Sequence, residues 1–251
     1  QCIREIIINN KNYFSENQIL VNVSKGIENN SFMTVSDIII DELGSSYKKI
    51  VTLSGPSHAE EVIKLNPTTL VSSSKDLVSA KKVQSVFSSS FLRIYINTDI
   101  LGVELGGAIK NVIAIASGIC DGIGYGDNTK AALLTRGISE IGNLGNLMGA
   151  KSSTFQGLSG IGDLIVTALS QHSRNRFVGQ EIGKGRSLNS ILKKMNMVAE
   201  GVKSSISVNE LRKKYSADMP ICESVYNILF NKKDPKQAVY ELMNRELKIE
   251  N

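Results

Sequence analysis

A lysine stands in the middle of an apolar stretch. The run from Glu104 to Ile119, ELGGAIKNVIAIASGI, has the composition of a buried helix, and Lys110 sits inside it one turn after Gly106 and Gly107. On a ~3.6-residue period its face neighbours are Val103, Gly106, Gly107, Ile113, Ala114 and Ser117, with no acid three or four positions away. A desolvated ammonium loses proton affinity, which suits acid–base work near neutral pH. The glycines remove bulk beside it and leave room for a ligand or for another chain segment. The competing reading is a structural lysine whose long stem carries its charge out to water.

Three other stretches combine small residues with charge. Ser24-Lys25-Gly26 follows a predicted strand, and in open α/β sheets ligands bind beyond the carboxyl ends of the strands. Lys25 is placed to reach an anion there; the alternative is a solvated lysine in a turn. In SGPSHAEE, Gly55 and Pro56 form a tight strand-to-helix turn whose following N–H groups can hold an oxygen anion or an amide. The same stretch also reads as a capping turn, with Ser57 as the cap and Glu60 three residues on. In GLSGIGDLIVTALSQHSRNR, glycines 157, 160 and 162 precede a helix that contains Asp163. No strand precedes those glycines, so they match a nucleotide fingerprint poorly. Ser173-Arg174-Asn175-Arg176 sets two guanidiniums beside two hydrogen-bonding side chains. Arginine suits bidentate phosphate binding, although a solvated helix end would look the same.

The elements that must position these residues follow two regimes. Up to about residue 97, strands and helices alternate. The expected strands are the short apolar run Ile19 to Val23, KIVTLSGPS, TTLVSSS and LRIYINTD. Between them MTVSDIIIDEL, SHAEEVIKL and KDLVSAKKVQSVFSS read as helices, the last with Leu77, Val78, Val83, Val86 and Phe87 as its apolar positions. This βαβαβ alternation predicts a parallel sheet covered by helices. After Thr98 the strand signals stop. Segments 99–119, 129–150, 162–183, 187–195, 201–215, 221–230 and 235–245 all read as helices. The expected domains are therefore 1–97, α/β, and 98–251, all helical.

Bulk composition narrows the classes. With 251 residues, the chain can build one large domain or two moderate ones. Its net charge of +5 comes from scattered lysine pairs such as Lys81-Lys82 and Lys213-Lys214, with no basic run interleaved with aromatics. That argues against a nucleic-acid partner. Cys2, Cys120 and Cys222 are far apart and odd in number, and His58 and His172 are too few for a His-rich metal site. Free thiols, no metal and a cytoplasmic location are the expectations. No uninterrupted apolar run reaches the ~18 residues of a membrane span, and no signal peptide is visible.

Taken together, VSKGIE, LSGPSHAEEV, ELGGAIKNVIAIASGICDGIGYGDNTKAALLTRGISEI, GLSGIGDLIVT, SRNR and VAEGV, in this order, resemble bacterial NAD(P)-dependent glycerol-3-phosphate dehydrogenase over residues 1–245. The family interconverts dihydroxyacetone phosphate and sn-glycerol 3-phosphate. The resemblance implies an incomplete Rossmann-type sheet followed by a helical dehydrogenase C-terminal part, with NAD or NADP as cofactor and a homodimer in the cytoplasm. It also implies a supply of glycerol 3-phosphate for phospholipid synthesis. By motif, it implies Lys110 as proton donor and acceptor, and Lys25 in contact with both cofactor and substrate. Gly55 and Ser57 would hold substrate, with Ala59 beside the cofactor. Asp163 lies near the substrate, and Ser173, Arg174 and Asn175 take the substrate phosphate, Arg174 also touching the cofactor. Val198 and Glu200 lie beside the cofactor.

On this reading Gly106 and Gly107 clear space for the substrate, burial disfavours the Lys110 ammonium, and Asp163 favours it. One departure is large: the family opens on a glycine-rich dinucleotide loop that this sequence lacks. At ~30 residues per βαβ unit, roughly 60–90 residues are expected ahead of Gln1. Two rivals stay open: another two-domain dehydrogenase of hydroxyacid type, and a non-catalytic fragment that folds and dimerises without NAD.

Overall fold

A computed structural model describes residues 2–195, 198–247 and 249–250. Four strands, β1 (Leu20–Asn22), β2 (Ile50–Ser54), β3 (Thr68–Ser73) and β4 (Leu92–Asn97), form one sheet in the order β1-β2-β3-β4. Helices α1 (Ile3–Asn9), α2 (Val35–Leu43), α3 (Ala59–Val62) and α4 (Leu77–Phe87) accompany them. All five residues of β2 are buried, so the strand reads as a continuous apolar and hydroxyl run without alternation.

The sheet is mixed, where the alternation predicted a parallel one. β1 runs parallel to β2 and β3 to β4, but β2 and β3 are antiparallel, with Leu53 opposite Ser72. The cause lies in the connection 55–67. A parallel return needs a crossover, usually a full helix, and this segment folds only the four-residue α3 before turning back. Two local expectations are corrected here as well. His58, not Ser57, occupies the N-cap position of α3, without a side-chain capping bond, and the Ser57 hydroxyl donates to the Gly55 carbonyl at 3.2 Å. On α4 the buried apolar positions are Ala80 and Val83, whereas Val78 and Val86 are exposed and Leu77 and Phe87 are only partly covered.

Beyond the sheet come α5 (Ile100–Ile123), α6 (Asp127–Leu147), α7 (Ser152–Phe155), α8 (Asp163–Leu169), α9 (Arg174–Gly183), α10 (Leu188–Lys194), α11 (Glu200–Lys214), α12 (Pro220–Phe230) and α13 (Pro235–Met243). The other helices pack around α5, and Val103, Leu105, Ala108, Ile109, Val112, Ile113, Ala114 and Ile115 on it are solvent-free. A helix apolar on every side must be enclosed by protein or lipid. By length and mean hydropathy (1.5), α5 could cross a membrane, with 94% of its most apolar window buried inside the protein. Glu104 and Lys110 interrupt the run in the sequence, which hid it from a search for unbroken apolar stretches.

Asp99 starts α5: its carboxylate accepts from Gly102 N at 3.0 Å, Lys151 N at 2.8 Å and Thr154 Oγ1 at 2.7 Å. The stretch 162–183, expected as one helix, is two. Ser170 leaves the helical region, and Ser173 restarts it as a cap whose hydroxyl accepts from Arg176 N at 3.2 Å. Serine competes with the helix for backbone groups and so favours such starts. α9 then lies directly against α5. A Cβ on Gly118 would stand 1.9 Å from the Arg176 carbonyl, and one on Gly179 2.0 Å from that of Ile115.

Candidate active site

The site is assembled where the sheet part meets α5 and α8. Lys110 lies on α5, and Asp163 is the first residue of α8, which follows a π-helical turn at Leu158–Gly162. The Asp163 carboxylate joins two cations: Oδ1 is 2.7 Å from Lys110 Nζ and Oδ2 is 2.5 Å from Lys25 Nζ. Asp163 is 2% and Lys110 4% exposed. Lys110 Nζ also donates to Thr167 Oγ1 at 2.6 Å, and Thr167 Oγ1 in turn donates to the Asp163 carbonyl at 2.7 Å. Lys25, on the loop after β1, also reaches the Gly55 carbonyl at 3.5 Å.

The charges there number two positive and one negative. Burial pushes the Lys110 ammonium down to about 8; the Lys25 charge pushes the same way, and Asp163 opposes both. Such a lysine is mostly protonated at neutral pH and gives up its proton under mildly alkaline conditions. That is the protonation behaviour of a general acid–base group.

The two glycines before Lys110 make room for protein. A Cβ on Gly106 would stand 2.8 Å from the Ser159 carbonyl, and one on Gly107 3.5 Å from the Lys25 stem and 3.3 Å from Ser54 Oγ. The expectation that both clear space for substrate is corrected accordingly: Gly106 admits the π-helical turn, and Gly107 admits Lys25. Gly55 has φ +139°, and its missing side chain lets it lie against Leu70 and the Thr69 carbonyl.

Of the remaining expected residues, Asn175 lies in a second cluster one step along α5. Asn175 Nδ2 donates to Asn111 Oδ1 at 3.0 Å, and Asn175 Oδ1 accepts from Gly201 N at 2.9 Å. The Asn175 carboxamide thus ties α5, α9 and the start of α11, where Glu200 is the first residue. Ser173 is buried as the cap of α9, while Arg174 is exposed. Arg174 acts electrostatically on Glu60 together with His172 and His58, which puts it near α3, whose first residue is Ala59. The structure therefore joins Lys25, Gly55, Lys110 and Asp163 directly, and it links Asn175 to Asn111 and to Gly201, the residue after Glu200. Val198 is 61% exposed and takes no part in the lysine–aspartate contacts.

Reading the sequence alone misses Thr167, Ser54 and His58. Thr167 stands four residues after Asp163, a spacing that puts both on one helix face. Ser54 Oγ is buried without a hydrogen-bond partner at the carboxyl end of β2, and His58 Nε2 is likewise buried and unpartnered. The His58 and His172 rings lie 6.2 Å apart, a proximity that no local pattern announces.

A dinucleotide-type sheet abutting a helical part, with a desolvated lysine–aspartate pair between them, is the layout of a two-domain dehydrogenase. Comparison with known proteins agrees. Residues 1–80 match the family model for the NAD-dependent glycerol-3-phosphate dehydrogenase N-terminus and residues 99–240 that for its C-terminus. The chain is 52% identical over all of its length to glycerol-3-phosphate dehydrogenase (NAD(P)+) of Pelodictyon phaeoclathratiforme, covering 75% of that protein. It is 51% identical to the Clostridium tetani enzyme of the same name over 99% of the chain and 71% of the relative. The crystal structure of glycerol-3-phosphate dehydrogenase from Coxiella burnetii superposes with a TM-score of 0.92 at 34% identity, covering 97% of this chain and 74% of that one. The chain belongs to the NAD-dependent glycerol-3-phosphate dehydrogenase family.

Proposed function

We propose that the protein interconverts dihydroxyacetone phosphate and sn-glycerol 3-phosphate with NAD(H) or NADP(H), and that the residues joined at Asp163 carry the chemistry. The observation behind this is the buried Lys110–Asp163–Lys25 bridge. The nicotinamide end of the cofactor would be held beside it: the orphaned Ser54 hydroxyl and the Gly55 turn lie at the carboxyl end of β2, where open α/β sheets take their ligands. Lys25 and Gly55 would face the cofactor from there, with Ala59, Arg174, Val198 and Glu200 further along. When bound, the cofactor supplies or accepts the hydride.

The protein's own work is positioning and proton transfer. Charged Lys110 donates a hydrogen bond to the substrate carbonyl and then gives its proton to the alkoxide. In the reverse direction the neutral amine takes the proton back from the alcohol. Asp163 and Thr167 fix the direction of the ammonium. Lys25 adds a second positive charge that stabilises the developing oxyanion and keeps the Lys110 proton labile. Gly55 and Ser57 orient the substrate, and Ser173, Arg174 and Asn175 receive its phosphate. Arg174, which is exposed, is the principal phosphate contact, whereas the Arg176 guanidinium is taken up by Asp121. Residues 1–97 and 98–251 are the two domains on this reading, with the substrate between them.

We further propose a cytoplasmic homodimer that supplies glycerol 3-phosphate for phospholipid synthesis; three free cysteines support the reducing compartment. A non-catalytic fragment is disfavoured, because no structural need explains a desolvated lysine held by one carboxylate beside a second lysine. The test is NADH and NADPH consumption by the purified enzyme with dihydroxyacetone phosphate or unphosphorylated dihydroxyacetone. Turnover that requires the phosphate is expected; absence of turnover with either would reject the assignment.

A further inference from the structure

A second buried acid, this one on α5, stands six residues before Lys110. Glu104 is 5% exposed, and every group around its carboxylate donates: Thr52 Oγ1 at 2.8 Å from β2, Ser36 N at 3.1 Å and Ser36 Oγ at 2.6 Å from the start of α2, and Asn22 Nδ2 at 3.3 Å from β1. These four contacts hold the Glu104 carboxyl in one place, and burial pushes its pKa up. Asn22 passes this anchoring on. Its Nδ2 also donates to the Ser24 carbonyl at 3.2 Å, and its Oδ1 accepts from Ser24 N at 2.8 Å. The residue after Ser24 is Lys25.

We propose that Glu104 is a positioning residue: through Asn22 it holds the Ser24-Lys25 loop at the height on α5 that brings Lys25 to Asp163 beside Lys110. One helix then carries both the proton donor and the anchor for the second lysine, which fixes the spacing of the two cations. A carboxylate serving only to cap α2 needs Ser36 alone; the contact to Asn22, which grips the backbone on both sides of Ser24, has no purpose in that role.

The inference rests on Lys25 taking part in the reaction as proposed above, and a double-mutant cycle separates the two claims. Lys25→Ala, Glu104→Gln and the double variant are assayed for kcat and KM with dihydroxyacetone phosphate, beside thermal melting. Glu104→Gln keeps the shape but removes one acceptor oxygen and any negative charge on the group. It should lower kcat/KM by ~10-fold in the parent and by less than twofold once Lys25 is gone, since groups acting through one another are not additive. Additive losses would overturn the inference while leaving the role of Lys25 intact. Full activity of Lys25→Ala would overturn both. Should Glu104→Gln fail to fold, Asn22→Ala enters the same cycle, because it leaves Glu104 its Thr52 and Ser36 partners and removes only the link. Additivity there would likewise reject the proposal.

Discussion

Lys110 carries the most direct expectations. Replacing it with Met keeps the apolar stem within α5 and removes the proton. kcat should fall by ~10²–10⁴-fold, the range for a lost general acid, with the melting temperature unchanged or raised. Near-normal turnover in a folded Lys110→Met protein would make the lysine structural. Its ionisation gives a second check. With Lys110 titrating near 8, ketone reduction needs the protonated form and should decline as pH climbs through that value, while alcohol oxidation should rise over the same range. Lys25→Ala removes a positive neighbour, so both limbs should move to higher pH; limbs that stay in place would show that Lys110 does not set them. Arg174→Lys keeps the charge but loses the fork. It should raise KM for dihydroxyacetone phosphate by ~10-fold or more and leave the KM for dihydroxyacetone nearly unchanged, in line with about 1.4 kcal/mol for one strong contact.

Among the elements, the α5–α9 contact governs the geometry of the second cluster. Gly118 and Gly122 face Gly179 and Gly183, and each would place a Cβ within 2.4 Å of a carbonyl on the other helix. Gly179→Ala should cost about 1–3 kcal/mol, the usual scale of overpacking, read as a lowered denaturation midpoint. Because α9 begins at Arg174 and Asn175, the same variant should raise KM for the phosphorylated substrate more than it lowers kcat. A midpoint equal to the parent would show that the helices can separate without loss. The break between α8 and α9 belongs to this scale too. Ser173 gives α9 a fresh N-terminus beside the site, and the unpaired N–H groups there favour an anion.

Across the whole molecule, buried acids join parts that are distant in sequence. Glu140 on α6 accepts from Ile221 N at 2.7 Å and Cys222 N at 3.1 Å, capping the start of α12. Burial pushes it up to about 7. An acid raised in the folded state binds more protons folded than unfolded between its ordinary value and about 7, so its contribution to stability declines as pH rises across that window. The full effect is on the order of 3 kcal/mol. Glu140→Gln should flatten this part of the pH–stability curve; an unchanged slope in thermal melts would assign the dependence elsewhere.

The sequence by itself determined a good deal. Periodicity and turn residues marked four strands to residue 97 and helices after it, because those signals are local. The anomalous Lys110, the glycines beside it and the SRNR cluster were legible because each breaks the pattern around it, and their order carried the family resemblance. The antiparallel β2–β3 pairing was not legible, since it depends on whether a connection can cross the sheet. Nor could spacing reveal that Gly107 makes room for Lys25, or that Lys110 finds its acid at Asp163, more than fifty residues away. Tertiary structure alone decided the double bridge at Asp163 and the grip of Glu104 on Asn22. Partners for buried charges are chosen by what folding brings within hydrogen-bond reach, and local sequence holds no record of that distance.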